Sequence, residues 1–314
     1  MNFVSDSKNK WGRNLQSIVP FAGLIIIIVV FQIITSGKLL SIYNLKTILE
    51  QSIVMIISCV GVTFVMSMGS IDFSQGSVLA ICSIFGALLA KQDPILGFVG
   101  AMVLGLVIGT INGFLVSLEI PSFIVTISTM FVFRGLTSYL TKDCCLTLPM
   151  KMAVLDKIDF KALVLGLILI LGFYFFEFTI LGKQCKAIGA AEKASVYSGV
   201  NAVKVKIISF AIAGLLAGLC GMLSLIRTRI ASPFTGNLFE IEVFMALVFG
   251  GMPINGGMKS KMRCGLFGSL MLAFLANGLV IMGVSANVLQ LIKGIVFLGA
   301  VYISIERRGQ VVIK

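Results

Sequence analysis

Residues 264–292 read CGLFGSLMLAFLANGLVIMGVSANVLQLI, twenty-nine positions without a charge. A bilayer-spanning helix needs about 20 mainly apolar residues. This stretch therefore holds one span and the start of a second, divided near Ser285-Ala286-Asn287. Further uncharged runs extend from Asn14 to Gly37, Gln51 to Ile71, Phe73 to Ala90 and Pro94 to Leu118. Others cover Ala162 to Phe176, Ile207 to Ile226 and Val243 to Met258. Over 314 residues, 58% are apolar and 12% charged, whereas soluble domains are about a quarter charged. The fold class is an all-α polytopic membrane protein. A water-soluble enzyme, a disordered chain and a nucleic-acid binder are excluded.

There is no histidine, so imidazole acid–base chemistry and His-ligated metals are absent. The seven cysteines include no Cys-x-x-Cys pair, and Cys144 and Cys145 are adjacent, a geometry that bridges only with strain. They read as small apolar filler. Ten candidate spans fall near 18–36, 48–68, 73–90, 95–117, 122–140, 161–181, 205–226, 239–252, 264–284 and 287–305. The first is too long for a secretory signal core and reads as an uncleaved anchor. In a membrane protein the net charge of +12 bears first on orientation, because Lys and Arg stay on the cytoplasmic side. With the N-terminus inside, inner segments hold 14 Lys and Arg and outer ones 9. Both termini are thus expected in the cytoplasm, with the 141–160 loop outside. Short loops leave one transmembrane domain, 1–314, with a cytoplasmic N-terminal segment at 1–17.

Asn112-Gly113 recurs as Asn277-Gly278, and eight residues after each Asn the chain breaks, at Ile120-Pro121-Ser122 and Ser285-Ala286-Asn287. The two pairs fall on spans of opposite direction, as in inverted-repeat transporters, although Asn-Gly is a common dipeptide. Glycine-rich breaks lie at 69–77 (Gly69, Asp72, Gly76) and 250–257 (Gly250, Gly251, Gly256, Gly257). Broken backbone at membrane depth is tolerated only beside protein or water. Two readings stand: functional hinges, or tight turns whose glycines supply positive φ. Neither stretch is a phosphate loop, because Gly257 and Met258 replace the Lys and Ser/Thr that grip a nucleotide. This chain is expected to bind no cofactor.

Gly69-x-Ile71-Asp72-Phe73-Ser74-x-Gly76-Ser77-Val78-Leu79 and Ile120-Pro121-Ser122-Phe123-Ile124-Val125-Thr126 with Arg134-Gly135-Leu136 carry a resemblance. So do Phe249-Gly250-Gly251 with Gly256-Gly257, Asn277-Gly278, and Gln290-Leu291-Ile292-Lys293-Gly294. Together, in order from about residue 45 to 305, they resemble the permease subunits of ribose-type ABC importers. Departures are Met252-Pro253-Ile254-Asn255, the following Lys259, Lys261 and Met262, and Phe73 where leucine is usual. The resemblance implies a plasma-membrane permease of ten spans that pairs with a second copy or a paralogue. It implies two ATPase subunits that carry ATP and Mg, and an external solute-binding protein. Relatives carry ribose, galactose, xylose, other monosaccharides or a furanosyl signal molecule.

The loop 182–206 looks like the coupling element of such permeases. Ala190 to Tyr197 favours helix and Gly199 can end it, so Ala190, Ala191, Glu192, Ala194, Ser195, Tyr197 and Gly199 are its expected contacts with the ATPase. An ordinary connector is the alternative. Ionisable groups in or near spans are Glu50, Asp72, Arg134, Glu177, Glu240, Glu242 and Lys293. Glu50, Asp72, Glu177 and Glu240 read as interfacial. Arg134 and Lys293 lie deeper, and with the amides Asn112, Asn277 and Asn287 and the ring of Phe123 they are candidates for the translocation path. A rival reading is an ion-coupled secondary carrier. It wants a carboxylate at midplane, and the runs 94–118, 207–226 and 264–292 hold none. A membrane enzyme lacks any catalytic pair.

Overall fold

The structure, a computed structural model, describes residues 5–142, 144–148 and 150–304, with side chains of 5–19, 150–151 and 303–304 outside the description. The C-terminal charges Arg307, Arg308 and Lys314 lie outside the described residues. The elements are α1 (Ser5–Ile34), α2 (Ile42–Ser67), α3 (Gln75–Leu89), α4 (Pro94–Ser117), α5 (Ser122–Thr141), β1 (Leu146–Thr147), a 3-10 turn (Met150–Leu155), α6 (Ile158–Phe173) continued by a π turn (Tyr174–Phe178), α7 (Ile180–Ala190), α8 (Glu192–Tyr197), α9 (Ala202–Thr228), β2 (Ile230–Ala231), α10 (Phe239–Phe249), α11 (Arg263–Ile281) and α12 (Ala286–Ser304). The only strands among the described residues form a short antiparallel ribbon, Leu146 opposite Ala231 and Thr147 opposite Ile230.

Among the described residues, six helices are long and apolar enough to cross a membrane: α2, α4, α5, α6 with its π turn, α9 and α11. Shorter apolar helices are Pro20–Ile34 within α1, α3, and Ala286–Tyr302 within α12. Local chemistry sets several starts. Asp93 accepts from the amides of Ile95 and Leu96 ahead of Pro94, and Asn201 accepts from Lys204, each satisfying orphan donors of a first turn. The stretch expected to span at 239–252 is helical only as α10, whose 11 residues reach about 16 Å, too little to cross.

Helices α2 and α9 are buried along most of their length and form the centre. Helix α4 lies against α9 through Gly105, Gly109 and Gly113, which recur every four residues and so share a face. A Cβ on Gly105 would strike the Gly214 carbonyl oxygen, and one on Gly109 that of Phe210. Such small-residue faces drive helix association in lipid, where hydrophobicity contributes little. The same device joins α3 to α4 at Gly86 and Gly97, and α10 to α11 at Gly250 and Gly268.

Helices α3 and α10 are each preceded by non-helical backbone inside the bundle, residues 69–74 and 232–238. A Cβ on Gly76, at the start of α3, would strike Glu240 Oε2 and the Gly236 carbonyl, and would lie 3.1 Å from an Arg134 Nη. Arg134 stands twelve residues into α5, so both helix starts meet well inside the bundle. A second non-helical segment, 232–238, thus lies against the break at 69–77.

Candidate functional site

At this junction the first break is fastened by hydrogen bonds. Asp72 accepts from the Ser74 amide at 2.9 Å, the Ser74 hydroxyl at 2.6 Å and the Gln75 amide group at 2.7 Å. Ser58 donates to Gln75 Oε1. Asn112 donates to Ser74 Oγ at 3.1 Å and accepts from Thr129 at 2.6 Å. One polar chain thus ties α2, α3, α4 and α5 to residues 72–75. The second break is fastened by Arg134, which donates to the carbonyls of Pro233 (3.0 Å), Thr235 (2.7 Å) and Gly236 (2.5 Å). Three backbone acceptors converge on one guanidinium, a fork that lysine cannot reproduce. Asp72 and Glu240, expected near an interface, are both buried within the bundle. Each lies in the first turn or cap region of a broken helix, where a negative charge offsets the helix dipole. Glu240 Oε2 has no hydrogen-bond partner among the described residues.

The two glycine-rich breaks meet each other elsewhere, beside α7. The Gly257 amide donates to the Ser67 carbonyl at 2.8 Å. A Cβ on Gly256 would meet the Ser67 carbonyl and the Gly69 amide, and one on Gly189 of α7 would meet the Ser67 carbonyl and the Gly257 amide. Gly69, Gly251, Gly256 and Gly257 have positive φ, so turn chemistry accounts for them. Gly76 and Gly250 do not, and serve close approach instead.

Residues 182–206 are largely helical, a departure from the expected loop. Helix α7 ends at Ala190, Ala191 takes extended backbone, and α8 begins at Glu192, so the expected helix from Ala190 is two helices. Gly199 has φ +89. The Val200 and Gly199 amides donate to the Ser195 and Val196 carbonyls, closing α8 with the paired bonds of a left-handed C-cap. Ser195 is buried, while Ala190, Ala191, Glu192, Ala194, Gly199 and above all Tyr197, 90% exposed, face outward. Four contacts fix this pair of helices. Glu177 pairs with Lys186 at 2.6 Å and accepts from the Met262 amide, Lys186 sits over the Phe176 ring, and Glu192 pairs with Lys206 at 2.5 Å.

At the other end of α9, by the β ribbon, lies a cavity of about 510 Å³ lined by Glu50, Gln51, Arg227, Glu242, Ala276 and Lys293 among others. Lys293 pairs with Glu242 at 2.6 Å. Lys161 bridges Asp156 at 2.6 Å and Glu50 at 3.7 Å, and Arg229 reaches Asp156 at 3.1 Å. Burial works to raise the Asp156 carboxyl, but hydrogen bonds and charge from Lys161 and Arg229 outweigh it and hold it below the usual carboxylate range. Asn277 is buried beside the lining with its Oδ1 unpartnered among the described residues. Asn287 is exposed at the start of α12. Phe123 packs edge-on against Phe73, and Asn112 borders a separate, mostly apolar cavity between α4 and α5. The path candidates therefore do not form one site. Cys144 and Cys145 are free and exposed, and the other five cysteines are free and buried.

Residues 44–301 match the family described as the branched-chain amino acid transport system / permease component. The chain belongs to this permease family. It is 31% identical over 304 residues to the ribose import permease protein RbsC of Escherichia coli, covering 91% of this chain and 93% of that one. It is 32% identical to RbsC of Bacillus subtilis, covering 91% and 92%. Against the xylose transport system permease protein XylH of Escherichia coli the identity is 27%, covering 92% and 91%. No solved structure matches. Ser58, Gln75, Thr129 and Lys186 of the permease were not singled out by the sequence, and the partners of Glu177 were not legible either, since partners 9 to 85 positions apart leave no local signal.

Proposed function

We propose that this chain is the membrane-spanning subunit of an ATP-driven importer of a monosaccharide of the ribose or xylose type. The observation that carries this is the match to ribose and xylose permeases along nearly the whole of each chain. Ten membrane segments in two inverted halves fit the packing. Helix α3 packs on α9, α4 and α5, as α10 packs on α2, α11 and α12, and α4 packs on α9 as α11 packs on α2. In this reading the termini and the α7–α8 pair face the cytoplasm and the ribbon end faces outward.

A second permease copy or paralogue, two ATPase subunits holding ATP and Mg, and an external solute-binding protein complete the machine. The outward residues of α8, with Ala190, Ala191 and Gly199, dock on the ATPase. Docking movement passes through Gly189 to the contact between residues 66–69 and 255–257, where both glycine-rich breaks meet. Asn112 and Arg134 hold the broken segments, and Asn277 and Lys293 border the solute route.

The test is uptake of labelled ribose and xylose into proteoliposomes carrying the permease, its ATPase and binding protein. Uptake should require ATP and ignore ionophores, and the purified chain alone should hydrolyse no ATP. The unpartnered Glu240 oxygen favours the rival carrier. Gradient-driven uptake without ATPase would establish that rival and end this proposal.

A further inference from the structure

We propose that the ribbon-end cavity is a binding site for a single neutral, polyhydroxylated sugar ring, built within a single permease protomer. This rests on the monosaccharide reading above and assigns that solute a place. The volume of about 510 Å³ lies in the range of small-molecule sites, about 300–1,000 Å³. The lining holds two carboxylates, Glu50 and Glu242, and two cations, Arg227 and Lys293, so its formal charges cancel. A net anion or cation gains nothing from such a balance, whereas hydroxyl groups, which both donate and accept, use both signs.

The polar groups are also unspent. A purely structural ion cluster would close Arg227 onto Glu50 or Glu242, whose charges both act on it. Yet among the described residues Arg227 makes no ion pair within 4 Å and no side-chain hydrogen bond, and the Gln51 side chain makes none either. Two lining residues, Arg227 with five guanidinium donors and Gln51 with its amide, therefore have no side-chain hydrogen bond among the described residues. Among the described residues Glu242 is engaged only through Oε1, by Lys293. Glu50 lies 3.7 Å from Lys161, beyond a good hydrogen bond. Met55, Leu272 and Ala276 supply apolar wall for the C–H face of a sugar ring.

Two measurements on the complete transporter in proteoliposomes test this. First, uptake of D-ribose and D-xylose identifies a transported sugar. Second, Thr47→Cys, on the lining, is placed in a Cys144→Ser/Cys145→Ser background and its reaction with an impermeant thiol reagent is timed. The transported sugar at half-saturation should slow labelling about twofold, since half the sites are then filled; sucrose should not. Arg227→Gln should abolish protection and raise the half-saturating sugar concentration about tenfold, the loss of one charged hydrogen bond. Arg227→Lys should restore part of it. Should Arg227→Gln fail to reach the membrane, Gln51→Ala, at an exposed position, must weaken protection in its place. Unchanged labelling in a transporter that does take up sugar, or equal protection by sucrose, overturns the site and leaves the monosaccharide reading intact. Uptake of neither sugar overturns that reading and the site with it.

Discussion

Replacing Gly256 by alanine tests whether the contact between the two glycine-rich breaks sets both stability and coupling. Gly256 has φ +68, and an added Cβ would lie 2.6 Å from the Gly69 amide nitrogen and 2.7 Å from the Met66 carbonyl oxygen, with the Ser67 carbonyl closer still. All three are backbone atoms, so no side chain can rotate away. Left-handed backbone costs an L-residue about 1–2 kcal/mol, and overpacking a fitted contact about 1–3 kcal/mol, giving about 2–5 kcal/mol together. Gly199 is the matched control. It has φ +89 but nothing within 4 Å of an added Cβ, so Gly199→Ala should cost only the backbone part, about 1–2 kcal/mol. Gly135, with ordinary φ and open space around it, should accept alanine without loss. Thermal unfolding of the purified permease should therefore rank Gly256→Ala below Gly199→Ala below Gly135→Ala. Solute uptake per ATP hydrolysed should fall for Gly256→Ala and stay unchanged for Gly135→Ala. If Gly256→Ala is as stable as Gly199→Ala and transports normally, the two breaks are not mechanically joined through this contact.

Asp156 is depressed on folding, so its pairs contribute stability that is present above its unfolded value of about 3.9 and lost as pH falls through the lower folded value. Asp156→Asn should thus lower Tm at neutral pH, and the difference from wild type should shrink below about pH 4, as a thermal series over pH will show. Impermeant thiol labelling of intact cells should reach Val154→Cys and not Tyr197→Cys, positions 68% and 90% exposed at opposite ends; the reverse would invert the orientation. Ala194→Trp should leave the permease inserted but weaken ATPase co-purification about five- to 150-fold, with ATP hydrolysis and uptake falling together, whereas Asn277→Ala should alter uptake alone. Asn112→Leu leaves the Thr129 hydroxyl without its acceptor and should cost about 1–3 kcal/mol, read as a lower Tm.

Much was legible in the chain because lipid imposes a simple rule. Uncharged runs announced the membrane helices, and Gly199 announced the end of α8, since only local backbone chemistry is involved in each. The motif 69–77 was legible as a break for the same reason. The break at 232–238 was not, because its seven residues carry only one Pro and one Gly, a modest signal. What makes 232–238 a break is Arg134, about a hundred positions away, whose guanidinium gathers three of its carbonyls.

The same division holds for charges. Their number, their clustering outside the spans and the absent phosphate loop were properties of the sequence. Whether Asp72 and Glu240 sat at an interface or inside depended on where a helix begins, because a span boundary shifted by a few residues moves a carboxylate from water to the interior. Lys293 could have met solute, carboxylate or headgroup, and only the approach of α10 to α12 put Glu242 2.6 Å from it. Membrane class and helix order thus followed from apolar run length, which is a one-dimensional property. The joined breaks and the charge-balanced cavity arose from glycine faces that let helices approach closely, and close approach between distant segments exists only in three dimensions.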